Sequence, residues 1–194
     1  MVLDDTALDA LFRTARTHES FADTPVADET LNALYDLVKF GPTSGNSLPG
    51  RFLVIRSAEA KERLRPCLSL GNIEKTMAAP AIVVVAYDAL FHARLPELNP
   101  GNDLKAWFVG NPDLSEETAF RNSTLQGAYF MLAARALGLV CGPMSGFDRP
   151  RLDRIFFNAN SWKSNFLINL GYPRAEELAP RLPRLSFEQA VTLT

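Results

Sequence analysis

Residues 41–55 read Gly-Pro-Thr-Ser-Gly-Asn-Ser-Leu-Pro-Gly-Arg-Phe-Leu-Val-Ile, a turn of small polar residues between an amphipathic helical pattern and an apolar strand. Gly41 and Pro42 break the preceding helix, which we expect to end near Phe40. The turn then concentrates hydroxyl groups, a side-chain amide and backbone N–H groups in a short space. Such a surface suits a planar ligand with heteroatoms along one edge, although on composition alone an ordinary helix-to-strand loop is the stronger interpretation.

Helical and strand patterns alternate on both sides of this turn. The first helix is predicted over residues 6–16, and a second, capped by Asp28, buries a stripe made of Leu31, Leu34, Tyr35 and Val38. The other predicted elements are strands at 52–56, 81–87, 139–144 and 166–170, a helix from Ser57 to about Arg65, a long helix from Ser115 to Leu137, a helix from Asp148 through Phe157, and a short helix with a capping box at Ser186 and Gln189. The alternation by itself predicts a parallel α/β sheet.

Residues 88–114, here called the excursion, differ in character from the rest of the chain. Asn, Gly and Pro accumulate there, interrupted by aromatic residues that include Trp107 and Phe108. A long segment of this kind is typical of a functional lid that meets substrate. The two aromatic side chains are equally well explained as pins that hold the segment to the core. We therefore expect one domain over residues 1–194, with a lid or excursion at 88–114.

Composition excludes several classes of protein. The chain has 194 residues, 47% apolar and 22% charged, with a net charge of −2, which argues against a nucleic-acid-binding or polybasic membrane surface. No apolar run reaches the length of a membrane helix, and the acidic start argues against a signal peptide, so we expect a cytoplasmic protein. Cys67 and Cys141 are expected to be free buried thiols, and with His18 and His92 they show no metal-ligand spacing.

Two segments near the N-terminus carry a family resemblance. Residues 42–50 resemble a Pro-Ser-Ser-x-Asn-x-Gln-Pro-Trp turn, and residues 15–21, Ala-Arg-Thr-His-Glu-Ser-Phe, resemble an Arg- and Ser-rich motif that ends in Phe. Both motifs are typical of the nitroreductase family, which the chain resembles over nearly its whole length. The resemblance implies a three-layer α+β fold with a mostly antiparallel central sheet flanked by helices, in place of the parallel sheet. It also implies an entwined homodimer with FMN bound between the subunits.

The resemblance further implies a set of FMN-binding residues. They are Arg16, Thr17, His18, Arg181 and Arg184 for the phosphate, Pro42, Thr43, Ser44 and Asn46 for the ribityl chain and ring, Asn72 and Lys75 for the pyrimidine edge, and Pro143, Met144, Ser145 and Gly146 beside the ring. A guanidinium and a hydroxyl suit a phosphate, and a lysine stabilises the negative charge that reduction leaves near N1 and C2=O. From the residues alone, His18 is equally a solvated turn residue and Lys75 one more exposed lysine.

Three positions depart from the family pattern. Glu19 stands where many relatives have a base, so we do not expect it to contact the cofactor. Leu48 replaces the usual Gln and Gly50 the usual Trp, which suggests a subgroup with its own substrate pocket.

Longer segments are similar to the malonic semialdehyde reductases of the Rut pyrimidine-degradation pathway, a subgroup of the family. They are residues 16–18, 41–44, 117–123, 142–148 and 181–188. This resemblance implies that Arg121 binds a substrate carboxylate, with a helix-surface ion pair as the competing explanation.

The implied reaction is the reduction of malonic semialdehyde to 3-hydroxypropanoate by NADH or NADPH. Hydride would pass through FMN N5 in a ping-pong scheme, which fits the absence of a Gly-x-Gly-x-x-Gly fingerprint. No side chain stands out as an obligatory catalytic acid, so Lys75 is assigned only to tuning the flavin. The alternatives are a broad-range nitro or quinone reductase and a flavin-binding module without turnover.

Overall fold

A four-stranded antiparallel sheet forms the centre of the computed structural model, which describes residues 2–174 and 178–194. The strands lie in the order β1-β2-β4-β3. Their bounds are Gly50–Ile55 (β1), Ala81–Asp88 (β2), Val140–Met144 (β3) and Trp162–Gly171 (β4). β1 and β3 are therefore the two edge strands. Among the described residues, no helix is long and apolar enough to span a membrane.

The helices surround this sheet along the whole sequence. Their bounds are Asp5–Leu8 (α1), Asp28–Val38 (α2), Ala58–Leu64 (α3), Leu70–Ala78 (α4), Leu95–Leu98 (α5), Leu104–Val109 (α6), Pro112–Ala136 (α7), Arg149–Phe156 (α8) and Phe187–Ala190 (α9). Short turns of 3₁₀-helix lie at Ser44–Asn46, Arg65–Cys67 and Phe91–Arg94, and α1 continues into a π-helical turn at Asp9–Arg13.

The parallel sheet predicted from alternation is wrong, and the antiparallel sheet implied by the family resemblance is confirmed. Two helices, α3 and α4, follow β1, so the chain returns to the end where β1 finished, and Ile55 pairs with Ile82. β2 and β3 do run in the same direction, but β4 lies between them and pairs antiparallel with both. Because β4 separates β2 from β3, every hydrogen-bonded pair of strands in the sheet is antiparallel.

Two apolar clusters fill the two faces of the sheet and define three layers. On one face, α2 and α7 pack through Leu34, Val38, Phe130 and Ala134 against Val83 of β2 and its neighbours. On the other face, α3 and α8 pack through Leu64 and Leu152 against Ile82 and Val84. β2 is buried on both faces, as its continuous apolar sequence predicts.

Several predicted helix boundaries need correction. The cap of α2 is Ala27 rather than Asp28, and α7 begins at Pro112 rather than Ser115. Tyr35, predicted in the buried stripe of α2, is half-exposed. The predicted helix at 6–16 is only α1 and the π-helical turn, with no buried residue in either. Ser57 and Asp148 do cap their helices, because each accepts a hydrogen bond from a backbone N–H of the first turn.

The excursion carries α5 and α6 and is anchored to the body. Phe91, Leu95 and Phe108 form a buried cluster with Tyr87 of β2 and Ala119 of α7. Trp107 is half-exposed, although its ring meets the Phe108 ring edge-on with centroids 4.9 Å apart. Phe108 therefore anchors the excursion to the core, while Trp107 is partly exposed to solvent.

Candidate functional site

The polar turn at 43–48 has an unusual backbone that its own side chains and neighbours hold in place. Gly45 has φ +58°, and two residues with side chains, Asn46 and Leu48, also have positive φ values of 52° and 39°. This left-handed region is costly for residues other than glycine, and such backbones concentrate at binding sites. Within the turn, the Thr43 hydroxyl accepts a hydrogen bond from the Leu48 N–H at 3.1 Å.

A polar row on α7 holds this turn against the body. Asn122 Oδ1 accepts from the Ser44 N–H at 2.8 Å, and Gln126 Oε1 accepts from the Gly50 N–H at 2.7 Å. A Cβ at Gly50 would lie 2.6 Å from Gln126 Oε1, so a larger residue at this position would require the Gln126 side chain to move and would disturb its hydrogen bond with the Gly50 N–H. Asn122 and Gln126 are four residues apart and so lie on one face of α7. This spacing is the sequence signal that could have identified Gln126 as a residue that contacts the turn.

The excursion closes over the same turn from the other side. Asn46 donates a side-chain hydrogen bond to Leu98 O at 2.8 Å, and Asn99 donates one to Gly45 O at 3.0 Å. The turn is thus fixed between α7 and the end of α5 in the excursion.

A second group of predicted residues gathers at the opposite edge of the sheet, along β3. Thr17 forms an isolated parallel bridge with Cys141, and the His18 N–H donates to Cys141 O at 3.1 Å. A Cβ at Gly142 would lie 2.5 Å from His18 O, so glycine allows this close approach. Burial raises the pKa of Cys141 to about 12 despite the opposing influence of Arg135, which leaves a neutral thiol under the bridge.

Helix α4 brings Asn72 and Lys75 to this same edge. The Asn72 amide donates to Gly146 O at 2.9 Å, and Ser69 N–H donates to the same oxygen at 3.1 Å. The Lys75 ammonium lies 2.8 Å from Glu19 Oε1. The predicted pyrimidine-edge residues therefore meet both the 143–146 segment and the 16–19 segment.

A basic cleft of about 790 Å³ adjoins these residues. Its lining, as far as the structure describes the chain, includes the charged residues Arg16, Glu19, Arg135, Arg181 and Arg184 and the hydroxyl of Thr17. The Arg16 guanidinium donates to Ala179 O, and the Arg181 guanidinium donates to the carbonyl oxygens of Arg13 and Ala15, each at 2.8 Å. These crossed hydrogen bonds join the N-terminal and C-terminal segments into one wall.

Arg135 belongs to this cleft although the sequence did not single it out. It donates to Leu11 O at 3.0 Å from the last turn of α7. A cation at a helix C-terminus is common for dipole reasons alone, so no local pattern distinguishes it. Arg184 lines the cleft, but within the part of the chain that the structure describes it donates only to the nearby carbonyl oxygens of Leu182 and Pro183.

The two groups of predicted residues lie apart in one chain. The turn precedes β1 and the second group borders β3, and these edge strands are three strand spacings apart, about 14 Å. Arg121, the predicted substrate residue, is exposed on α7 and ion-paired with Glu117, which corresponds to the competing explanation.

Comparisons with known proteins agree on one family. The sequence profile of the nitroreductase family matches residues 12–172. A Rhodopseudomonas palustris protein named "Putative NADH dehydrogenase/NAD(P)H nitroreductase" is 58% identical over 188 residues, which cover 97% of this chain and 96% of that protein.

Solved structures share the fold at low sequence identity. A putative nitroreductase from Bacillus subtilis has a TM-score of 0.85 at 20% identity, over 98% of this chain and 100% of the other. The FMN complex of a putative nitroreductase from Exiguobacterium sibiricum has a TM-score of 0.86 at 18% identity, over 100% and 99% of the two chains. On its sequence match and its fold, the chain belongs to the nitroreductase family.

Proposed function

We propose that this protein is an FMN-dependent NAD(P)H oxidoreductase that acts on a small-molecule oxidant. The observation that carries the proposal is the meeting of the basic cleft with Asn72, Lys75 and the 143–146 segment along the β3 edge. Family membership supports FMN as the cofactor and NAD(P)H as the reductant. The clustered arginines suit the phosphate of an anionic cofactor.

The residues along the β3 edge fit FMN by their chemistry. A phosphate dianion suits the guanidinium groups of Arg16, Arg181 and Arg184, with Thr17 as a hydroxyl donor. Asn72 offers an amide to the pyrimidine edge, and Lys75 offers a positive charge there. In the described part of the chain, the backbone N–H groups of Ser145 and Gly146 donate no hydrogen bond, so both are available to a ligand.

Bound FMN would supply two-electron transfer between NAD(P)H and the oxidant. The chain itself would contribute binding and orientation: the arginines anchor the phosphate, and the 143–146 backbone fixes the plane of the ring. Lys75 would stabilise negative charge at the edge it faces. No described side chain is assigned as a proton donor to the oxidant, and positioning is the main contribution of the protein.

We further propose that a second copy of the chain completes the site. The turn at 42–46, with its fixed and unusual backbone, lies at the far edge of the sheet from Lys75. An entwined homodimer would bring the turn of one chain to the β3 edge of the other. The segment after Arg181 supports this arrangement, because Leu182, Leu185, Phe187 and Leu193 are all largely exposed in the single chain.

For the oxidant we propose malonic semialdehyde, on the segments that resemble the malonic semialdehyde reductases. Arg121 would bind the carboxylate, and the excursion, which contacts the turn through the hydrogen bond from Asn46 to Leu98 O, would act as a lid with Trp107 and Phe108 near the substrate. The Arg121–Glu117 ion pair opposes this assignment, because a substrate carboxylate must compete with Glu117. The R. palustris relative favours the second candidate, a broad-range nitro or quinone reductase.

Single-turnover reoxidation distinguishes the two candidates. The purified protein is loaded with FMN, reduced anaerobically with NADH or NADPH, and mixed with malonic semialdehyde or with a nitroarene. Rapid bleaching by NAD(P)H is expected, and its absence would favour a flavin-binding module without turnover. Much faster reoxidation by the semialdehyde supports that substrate, whereas equal or faster reoxidation by the nitroarene supports the broad-range reductase.

We place the enzyme in the cytoplasm. Cys67 and Cys141 are buried free thiols, which persist most readily in a reducing compartment.

A further inference from the structure

Lys75 already has an anionic partner within its own chain. Its ammonium lies 2.8 Å from Glu19 Oε1, in both a hydrogen bond and an ion pair. The Lys75 side chain is 27% exposed, while that of Glu19 is 70% exposed. The carboxylate therefore reaches in from the solvent side to a lysine that the fold partly encloses.

The backbones that carry the two residues are fixed independently. The segment before Glu19 is tied to β3 by the Thr17–Cys141 bridge and by the hydrogen bond from His18 N–H to Cys141 O. Helix α4 is tied to the 143–146 segment by Asn72 and Ser69, which both donate to Gly146 O. The ion pair therefore joins two anchored elements, and its geometry does not depend on a mobile loop.

Among the described residues that line the basic cleft, Glu19 is the acidic one. In the described ranges, four arginines line the same cleft, and the ion pair of the Glu19 carboxylate is with Lys75 rather than with any of them. The Glu19 carboxylate lies between the arginines of the cleft and α4. There it can offset the charge of Lys75 and leave the cleft open to a ligand.

We propose that Glu19 is a positioning residue for Lys75. Its carboxylate holds the Lys75 ammonium at the cofactor edge and partly neutralises the positive charge that the ammonium presents to reduced FMN. This inference rests on the proposed function, because it takes Lys75 as the residue beside the pyrimidine edge. A carboxylate in contact with the ammonium lowers the field that the ammonium exerts on a developing anion. The wild-type flavin is then a stronger reductant than Lys75 alone would make it.

The experiment compares the midpoint potential of bound FMN and the FMN dissociation constant in wild type and Glu19→Gln. The isosteric amide removes the charge and leaves the exposed site otherwise intact. We expect the affinity for reduced FMN, relative to oxidised FMN, to rise about tenfold. Since tenfold corresponds to about 30 mV for a two-electron couple, the potential should become more positive by that amount.

Two further variants show whether the effect passes through Lys75. Glu74→Gln removes a charge from the exposed residue next to Lys75 on α4, and less than a twofold change is expected. In a Lys75→Met background, the effect of Glu19→Gln should vanish, because the coupling energy of the pair is then absent.

The outcomes separate this inference from the proposed function. An unchanged or more negative potential in FMN-loaded Glu19→Gln would overturn the inference alone. An equal rise in the Lys75→Met background would also overturn it, since Glu19 would then act without the lysine. Failure of the unmodified protein to bind FMN would overturn the proposed function, and the inference with it.

Discussion

Glu116 joins three elements through hydrogen bonds at the end of β2. It accepts from the hydroxyl of Tyr87 and, at 3.0 Å, from the ammonium of Lys163 on β4. Tyr87 is 2% exposed, and among the described residues its hydroxyl donates to Glu116. Burial opposes ionisation of Glu116, but the hydrogen bonds from Tyr87 and Lys163 outweigh it and keep the pKa of this carboxyl below its usual value.

We expect Glu116→Ala to lower the free energy of unfolding by about 1–3 kcal/mol, because it leaves the Tyr87 hydroxyl buried without an acceptor. Urea denaturation measures the change. The matched control is Glu116→Ala in a Tyr87→Phe background, where the orphaned hydroxyl is gone and the cost should be smaller. Equal costs in the two backgrounds would show that the hydrogen bond is not the cause.

The same carboxyl gives a stability difference that depends on pH. Since its pKa is lowered by folding, its contribution is present above the ordinary glutamate pKa and is lost as the pH falls through the lower folded-state value. The stability gap between wild type and Glu116→Gln should therefore narrow in acid. Denaturation at a series of pH values from neutral to about 3 measures it, and parallel profiles would contradict the assignment.

Single residues show where sequence reasoning succeeds and where it stops. Ser57, Asp148 and Ser186 were identified as caps because a cap acts within three residues of itself. The Glu19–Lys75 pair joins residues 56 positions apart, and nothing local to either residue predicts it. The arginine at position 135 enters the cleft only because α7 ends there.

Among the elements, strands were predicted more reliably than their directions. The apolar run of β2 identifies a strand buried on both faces, because burial leaves a pattern in the residues themselves. Whether two strands pair parallel or antiparallel depends on which strands become neighbours. Here β4, the last strand in the sequence, lies between β2 and β3. Only the family resemblance, not the alternation of elements, supplied the antiparallel sheet.

The contact between β3 and the 16–19 segment gives the element-level prediction. A Cβ at Gly142 would lie 2.5 Å from the carbonyl oxygen of His18, a backbone atom that cannot move away by a rotamer change. We expect Gly142→Ala to lower the free energy of unfolding by about 1–3 kcal/mol through overpacking. Because Arg16 and Glu19 lie on the displaced segment, FMN affinity should fall as well.

Thermal denaturation and flavin titration measure the two effects of Gly142→Ala. Gly71→Ala on α4 is the control, because a Cβ there meets nothing within 4 Å. Alanine in that helix should leave stability unchanged or slightly raised. If Gly142→Ala kept both wild-type stability and wild-type FMN affinity, the close approach at β3 would not be needed to form the site.

Over the whole molecule, the predicted FMN residues divide between two edges of one sheet. Motif resemblance identified both groups and implied that FMN lies between two subunits, but the residues themselves do not show whether the two groups meet within a chain or between chains. The fold separates them by three strand spacings. Exposed apolar residues on α7 and just after α2, such as Leu125, Tyr129 and Phe40, offer a surface for a second copy.

A cis–trans test of a shared site follows from this separation. Lys75→Glu disables the β3 edge, and Ser44→Phe blocks the exposed turn at the other edge without adding bulk to the core. Co-expressed chains with different tags give purified heterodimers.

If each site takes Lys75 from one chain and the turn from its partner, a heterodimer with one substitution on each chain has one intact site. It should therefore bind about one FMN. A heterodimer with both substitutions on one chain then has none, although it carries the same two changes. The reverse result, one FMN in the second heterodimer and none in the first, would place the whole site within a single chain.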